Sequence, residues 1–517
     1  MSSTLGIVLG SVAAAYAFLF ALLHFTQDSR EPPVVGVTIP FISPLFGFIS
    51  GMQKFSIKLR DKYGLPIYTL RMPGQRIYVV NSLSLIIQLQ RQFKTVSFCP
   101  IESQAAATVM GVGPAGRAII GSDKMLDDDS YLSTFVPSIR PGLSPGPGLD
   151  ALNGAAIEHL SNCLSDLHSK TPTVIELFSW IRDQLCMATT EATYGPKNPF
   201  RDPAVQEAWY VFEPQIMVHM LGAWPSVLAR KSLRAREHVL IPSFEEYFAQ
   251  EGHLQGSVLT QCRYKHNIGH GIRGRDLAAT EIGQLVASLV NSVGGAFWMI
   301  YNIFSDPVVL DECRKEVEKL VQVDGDGVPT IDIFKVGTAC PILLSTWQET
   351  LRYMHIGISA RVVLEDSMLD GKYLLKKGAT VMMVTPVQNT DTSLWGPTAG
   401  KFDHRRFLRV SGSKQTNPAA FRSFGGGRVL CPGRHFVSTE VLSFVAILLL
   451  RFELKPLTKH GKWIRPRMNS PMTTAMPTPK DEFPVEVTPR DSREWRLSFS
   501  ASNKGVDMVA EDVTEGA

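Results

Sequence analysis

The sequence has no CxxC pair and no cysteine–histidine run at zinc-ligand spacing, although it carries seven cysteines (Cys99, Cys163, Cys186, Cys262, Cys313, Cys340 and Cys431). Their scatter and odd number exclude a disulfide framework and a zinc module, and fit a reducing compartment with free, mostly buried thiols. Net charge is also sparse: +4 over 517 residues, too small and too dispersed to argue for a nucleic-acid partner. No internal repeat and no obvious linker divides the chain, even though it exceeds the usual span of roughly 100–200 residues per domain. With 44% hydrophobic and 19% charged residues it can bury a large core, which excludes a disordered chain.

Charge is absent altogether from Leu5 to Phe25, a run of 21 residues. As a helix this run would extend about 31 Å, close to the hydrocarbon thickness of a bilayer. A buried core helix and a cleaved signal peptide are the rivals. The segment is terminal and ends in the charged, proline-bearing run Asp28-Ser29-Arg30-Glu31-Pro32-Pro33, which argues against the first. A signal peptide would want a basic n-region and a shorter apolar core, and neither is present. No Lys or Arg precedes the run, whereas Arg30, Lys54, Lys58 and Arg60 follow it, so the positive-inside bias puts the bulk of the chain in the cytosol.

The sequence therefore divides into an anchor (1–27), a proline-rich hinge (28–45), one catalytic body (46–495) and a polar tail (496–517) expected to be loose. Ile67–Met72 and Arg76–Asn81 are β-like runs around Pro73-Gly74-Gln75, which predicts a hairpin. From Ala151 to Pro341 the pattern is mainly helical, broken by Gly-rich stretches such as 269–274. Leu277–Phe304 is a long, very apolar helix for the centre of the body. The fold class expected is mainly α with a small β subdomain.

Three constellations can carry chemistry. In Phe424-Gly425-Gly426-Gly427-Arg428-Val429-Leu430-Cys431-Pro432-Gly433-Arg434 a glycine run lets the backbone approach a flat ligand. A cysteine just before a helix start also gains from N–H groups and the positive dipole end, which favour a thiolate. A buried structural thiol stays equally open on these residues alone. Glu349 and Arg352 at i, i+3 face one side of a helix and can pair, which an ordinary exposed ion pair would also explain. Phe402-Asp403-His404-Arg405-Arg406-Phe407 sets two arginines between aromatics.

Taken together, in this order and spacing, the three resemble the cytochromes P450. The cysteine loop is similar to that family's FxxGxRxCxG signature, Glu349 and Arg352 match its ExxR helix, and Phe402–Phe407 resembles its FxPxRF segment with His404 in place of proline. The resemblance runs from the anchor through the hinge and the central helix to the carboxyl end. It implies the cytochrome P450 fold preceded by a single transmembrane helix, with haem b held by Cys431 as axial ligand. It further implies a buried structural triad of Glu349, Arg352 and Arg406, Phe424 beside the sulfur, and Gly427 and Gly433 shaping the cofactor loop.

Two departures shift the site residues. The family's usual propionate arginine lies two residues before the cysteine, where this chain has Val429, so Arg361 is the better candidate and Arg428 the lesser. Where most members carry an oxygen-activating threonine preceded by an acid, the chain has Asn291 and Val290. That pattern, with Gly294 and Gly295, looks like the branch containing sterol 7α-hydroxylases and prostacyclin synthase, and like a fungal-type enzyme of secondary metabolism. Asn291 is thus the catalytic candidate for proton delivery with ordered water. Val290, Gly294, Gly295, Ile356 and Ser359 are expected to line the substrate pocket, with Met468–Thr474 closing it.

The function implied is that of a haem-thiolate monooxygenase oxidising an apolar multi-ring substrate, such as a terpenoid or a steroid-like metabolite. It would use O2 and electrons from NADPH delivered by NADPH–cytochrome P450 reductase. The expected setting is the endoplasmic reticulum membrane, with lipid contact through the anchor and through Met217–Leu228, which includes Trp224 and Pro225. The alternative is a haem isomerase or dehydratase that needs neither O2 nor NADPH, and the missing acid–alcohol pair favours it.

Overall fold

The computed structural model describes residues 2–49, 51–170, 172–222, 225–408, 417–493, 495–500, 505–509 and 512. The chain forms two compact, discontinuous units instead of the single body expected for 46–495. The smaller unit comprises Met1–Ile101, Ile356–Ala399 and Gly425–Leu430; the larger comprises Glu102–His355, Gly400–Phe424 and Cys431–Ala517.

In the smaller unit the helix Ser2–Thr26 presents its apolar side chains to the outside, and its stretch Thr4–Thr26 is long and apolar enough to cross a membrane. The proline-rich segment after it is not a free linker. Val35 N–H donates to Thr69 O (3.1 Å) and Thr69 N–H to Pro33 O (2.8 Å), which ties the segment to the strand Ile67–Met72. That strand pairs antiparallel with Gln75–Val80 around a turn in which Gly74 takes φ +67°, so the predicted hairpin forms with its second strand one residue earlier. Thr380–Val384 runs parallel to Gln75–Val80, then Ile358–Val363 and Val96–Ser97 complete five strands. Alternate residues such as Tyr78, Val80, Val381 and Met383 enter one apolar core with Leu85, Ile86 and Leu89.

The larger unit is helical. Phe200, Phe212, Phe244, Ile282 and Leu285 lie at the centre of its main apolar cluster. The expected single helix Leu277–Phe304 is two segments, Gly274–Leu289 and Ser292–Phe304, interrupted at Val290–Asn291. Ser292 Oγ donates back to Ser288 O (2.9 Å), a local side-chain bond beside this interruption. The helix Arg434–Arg451 is buried along almost its whole length.

The chain end departs from the expected loose tail. Arg496–Ser498 pairs parallel with Pro329–Asp332, and Val506, Met508, Val509 and Asp512 are buried. In Met217–Leu228 the side chains of Leu221, Val227 and Leu228 are exposed, while Trp224 lies outside the described residues.

Candidate active site

Cys431 sits where a loop turns into a helix. Its N–H donates to Phe424 O (2.9 Å), and the helix Arg434–Arg451 starts three residues later. Burial pushes the thiol up, while a hydrogen bond from Gly433 N–H and the positive charge of Arg434 pull the other way. Cys186, Cys313 and Cys340, by contrast, are buried and pushed up to about 12 by burial foremost, as inert core thiols are. Among the described residues no three His, Cys, Asp or Glu side chains cluster to hold a metal. A lone, N–H-supported sulfur at a helix start therefore suits a metal that brings its remaining ligands with it, as a porphyrin iron does.

Arg434 carries a network that the sequence did not reveal. Its Nη1 donates to Cys431 O (3.2 Å) and its Nε to Asp512 Oδ1 (2.7 Å). Asp512 Oδ2 in turn accepts from Met508 N–H (2.8 Å) and Val509 N–H (3.0 Å). His435 Nδ1 lies 3.1 Å from Val506 O, so that nitrogen carries the proton. A Cβ on Gly505 would stand 2.4 Å from the same ring nitrogen, so only glycine lets this strand pass. The only sequence signal was the apolar set Val506, Met508 and Val509 in a polar stretch.

Glu349, Arg352 and Arg406 meet. Arg352 Nε and Nη2 each donate to Glu349 at 2.7 Å, and Arg406 Nε reaches both carboxylate oxygens at 3.0 and 3.1 Å. Asp403 N–H adds a bond of 3.0 Å, and both guanidinium groups also donate to Lys401 O. Side-chain exposure is 0% for Glu349 and 1% for Arg352, so this is a buried lock and not a surface pair. His404, which replaces the motif's proline, lies 2.7 Å from Glu312 Oε2, and Arg405 clasps the same carboxylate with two bonds. Arg405 first and then His404 hold Glu312 down to about 2.

Asn291, placed at the helix interruption, accepts a hydrogen bond from Ala475 N–H at its Oδ1 (2.7 Å). The strands Met468–Asn469 and Thr478–Pro479 pair and bring residues 475–477 against the central segments, where Trp298 Nε1 donates to Pro477 O (2.9 Å). Gly294 and Gly295, expected to line the substrate pocket, each have a close neighbour on the side a Cβ would take. A Cβ on Gly294 would meet Pro477 O at 2.9 Å, and one on Gly295 would meet the Trp347 ring at 2.8 Å. Both glycines permit close packing, and Val290 is likewise taken up by the main apolar cluster.

The smaller unit holds the remaining candidates. Arg361 is buried, donates to Ser359 Oγ (3.0 Å) and Ala360 O (2.6 Å), and lies over the Phe98 ring. Ser359 thus helps to orient the arginine. Arg428 is exposed and stacked 3.6 Å above the Phe93 ring centroid. Gly427 takes φ +61° against the Gln90 side chain, and Ile356 O accepts from Gln53 Nε2 (3.2 Å).

A loop-borne cysteine at a helix start, a buried Glu–Arg–Arg lock and a mainly helical fold with a five-stranded sheet are the features that the resemblance to the cytochromes P450 implies. The Cytochrome P450 family model matches residues 254–485. "Cytochrome P450 monooxygenase nodJ" of Hypoxylon pulicicidum is 35% identical over 483 residues, covering 91% of each chain. A "Cytochrome P450 monooxygenase" of Gibberella zeae is 27% identical over 93% of this chain and 92% of its own. "Cytochrome P450 7A1" of Sus scrofa is 21% identical over 88% of this chain and 93% of its own. The chain belongs to the cytochrome P450 family and is an oxidoreductase, a P450 monooxygenase with the haem-thiolate cofactor of that family.

Proposed function

We propose that this monooxygenase oxidises an apolar, multi-ring metabolite of the terpenoid or steroid-like kind, with O2 and with electrons passed from NADPH through a membrane-bound reductase. The overall balance is substrate C–H, O2, NADPH and a proton going to alcohol, water and NADP+. Haem, when bound, supplies dioxygen activation; the chain's own residues hold, orient and shield.

Cys431 carries this assignment: it stands just before the helix start, where Gly433 N–H and the Arg434 cation act against the burial that raises its thiol, and among the described residues no cluster of His, Cys, Asp or Glu offers a chain-built metal site. Arg361, already buried, would offer its guanidinium to a haem carboxylate, with Ser359 fixing its direction; exposed Arg428 would contribute less. Phe424 and Gly433 would shape the sulfur's surroundings. Glu349, Arg352 and Arg406 act structurally.

Asn291 cannot ionise, and its Oδ1 is engaged by Ala475 N–H, so what it offers to a water or a substrate oxygen is its Nδ2 donor. It therefore serves to orient, and any proton it helps to move must come through ordered water. The helix Ser2–Thr26 would anchor the enzyme in the endoplasmic reticulum membrane with the catalytic body in the cytosol, which brings apolar substrates dissolved in lipid within reach.

The test is spectroscopic. Reduced, CO-bound wild-type protein should show the long-wavelength Soret band of thiolate ligation, and Cys431→His should lose it. An unchanged thiolate band in the variant would overturn the assignment. The absence of an acid–alcohol pair at Val290–Asn291 favours a second possibility, a haem isomerase or dehydratase. Product formed from substrate alone, without NADPH and under anaerobic conditions, would establish it and reject the monooxygenase balance.

A further inference from the structure

In the smaller unit a cleft of about 430 Å³ opens where the helix Ser2–Thr26 ends beside the hairpin. Its walls are unlike each other: Leu22, Phe41 and Met72 are apolar, whereas Arg71, Arg76 and Lys377 bring three cations. The two guanidinium groups converge on the helix end. Arg76 Nη2 donates to Thr26 O (2.9 Å), and Arg71 donates to Thr26 O (3.4 Å) and Thr26 Oγ1 (3.2 Å).

Two carboxylates lie near the three cations: Asp366, which accepts from Lys377 N–H (2.8 Å), and Glu31. Glu31, with 0% side-chain exposure, lies 3.1 Å from Arg76 Nε and accepts from Tyr78 O–H (2.6 Å). Nearby Lys376 is taken by Asp366 (3.0 Å), and Asp28 by Arg30 (2.9 Å). Arg71 Nε is buried without a hydrogen-bond partner among the described residues. Burial first, then the adjacent Arg76 cation, holds Arg71 below its usual value, and the Glu31 carboxylate offsets this only in part.

The height of the cleft selects the anion. Thr4–Thr26 is 23 residues long, about 34 Å as a helix, which exceeds the roughly 30 Å hydrocarbon thickness and leaves Thr26 at the level of lipid headgroups. Leu22 lies one turn deeper, where acyl chains begin. We infer that this cleft binds the phosphate of an anionic membrane phospholipid, with Arg71 and Lys377 as its charge partners and Leu22 and Phe41 against the upper acyl chain. The inference rests on the anchor reading of Ser2–Thr26. A phosphate oxyanion pairs with the charges of Arg71 and Lys377 on the cleft wall, and its lipid tail fits the apolar wall, which a free phosphate would leave bare.

The full chain should be reconstituted in phosphatidylcholine bilayers with and without a minor fraction of phosphatidic acid, then extracted in mild detergent for native mass spectrometry. Wild type should retain one phosphatidic acid per chain. The double variant Arg71→Gln/Lys377→Gln should retain about tenfold less, as the loss of charge-assisted bonds implies. Arg76 is left intact because it neutralises buried Glu31. Equal retention by wild type and variant would overturn the site. Displacement of the lipid by inorganic phosphate alone would overturn the lipid assignment in favour of a free-phosphate site. Flotation on pure phosphatidylcholine vesicles tests the anchor separately: both proteins should float, and failure of wild type to float would sink the anchor instead of the cleft chemistry.

Discussion

Glu440, nine residues beyond Cys431 and fully buried in the helix Arg434–Arg451, makes stability depend on pH. Its Oε1 accepts from Thr189 Oγ1 (2.8 Å), while Oε2 is buried without a partner among the described residues. Burial, only partly offset by the Thr189 bond, pushes this carboxyl from an ordinary 4.5 up to about 8. The folded chain therefore holds a proton that the unfolded chain has released. Its contribution is fully present below pH 4.5 and is lost as pH rises through about 8. A tenfold difference in proton affinity between the folded and unfolded chain corresponds to about 1.36 kcal/mol, so the whole window amounts to roughly 3–5 kcal/mol, a large share of a typical folding free energy of about 5–15 kcal/mol.

Glu440→Gln removes the titration but keeps the acceptor for Thr189, at the expense of an extra unsatisfied amide N–H worth about 1–3 kcal/mol. The variant should be less stable than wild type near pH 5 and more stable near pH 8.5, where wild type folds only against the cost of protonating or burying a charge. Denaturant unfolding midpoints, followed by far-ultraviolet circular dichroism across that range, should cross. Parallel pH curves for the two proteins would refute the reasoning.

Three other outcomes follow from the site. Glu349→Ala leaves two buried guanidinium groups facing each other, a change of about 3–5 kcal/mol, so poor folding and haem loss are expected; a stable variant with full haem content would contradict the lock. Asp512→Asn should speed haem loss and raise the fraction of reduced, CO-bound protein that lacks the thiolate band, because Arg434 loses its buried anion while still bonded to Cys431 O; an unchanged haem off-rate would contradict this. Asn291→Ala should keep haem but lower the product formed per NADPH consumed, measured against wild type; an unchanged ratio at full activity would remove its orienting role.

The sequence carried the motifs and the hairpin because each is local: spacing within a helix, alternation within a strand, and a turn that needs glycine. It carried the geometry less well wherever a contact joins distant segments. The central run was legible as apolar but not as interrupted at Val290–Asn291, where Ala475, 184 residues away, reaches Asn291. Gly294 and Gly295 were readable as small but not as packed, because their neighbours Pro477 and Trp347 come from elsewhere in the chain. His404 looked like a lapse from the motif until Glu312, 92 residues earlier, supplied its partner. In the tail, the buried apolar residues Val506, Met508 and Val509 stand in a polar stretch and leave no periodic signal.

The tail and the cysteine loop then become one electrostatic unit. A guanidinium beside a sulfur would by itself draw electron density from it, and burial strengthens such a field. Asp512, with 2% side-chain exposure, sits 2.7 Å from Arg434 and supplies that guanidinium with a buried counter-ion while leaving Arg434 its hydrogen bond to Cys431 O. The N–H of Gly433 and the Arg434 cation both act against the burial that raises the thiol. Arg434 thus ties the backbone of Cys431 to a carboxylate from position 512, 81 residues further along the chain, so the surroundings of the cysteine depend on a distant segment.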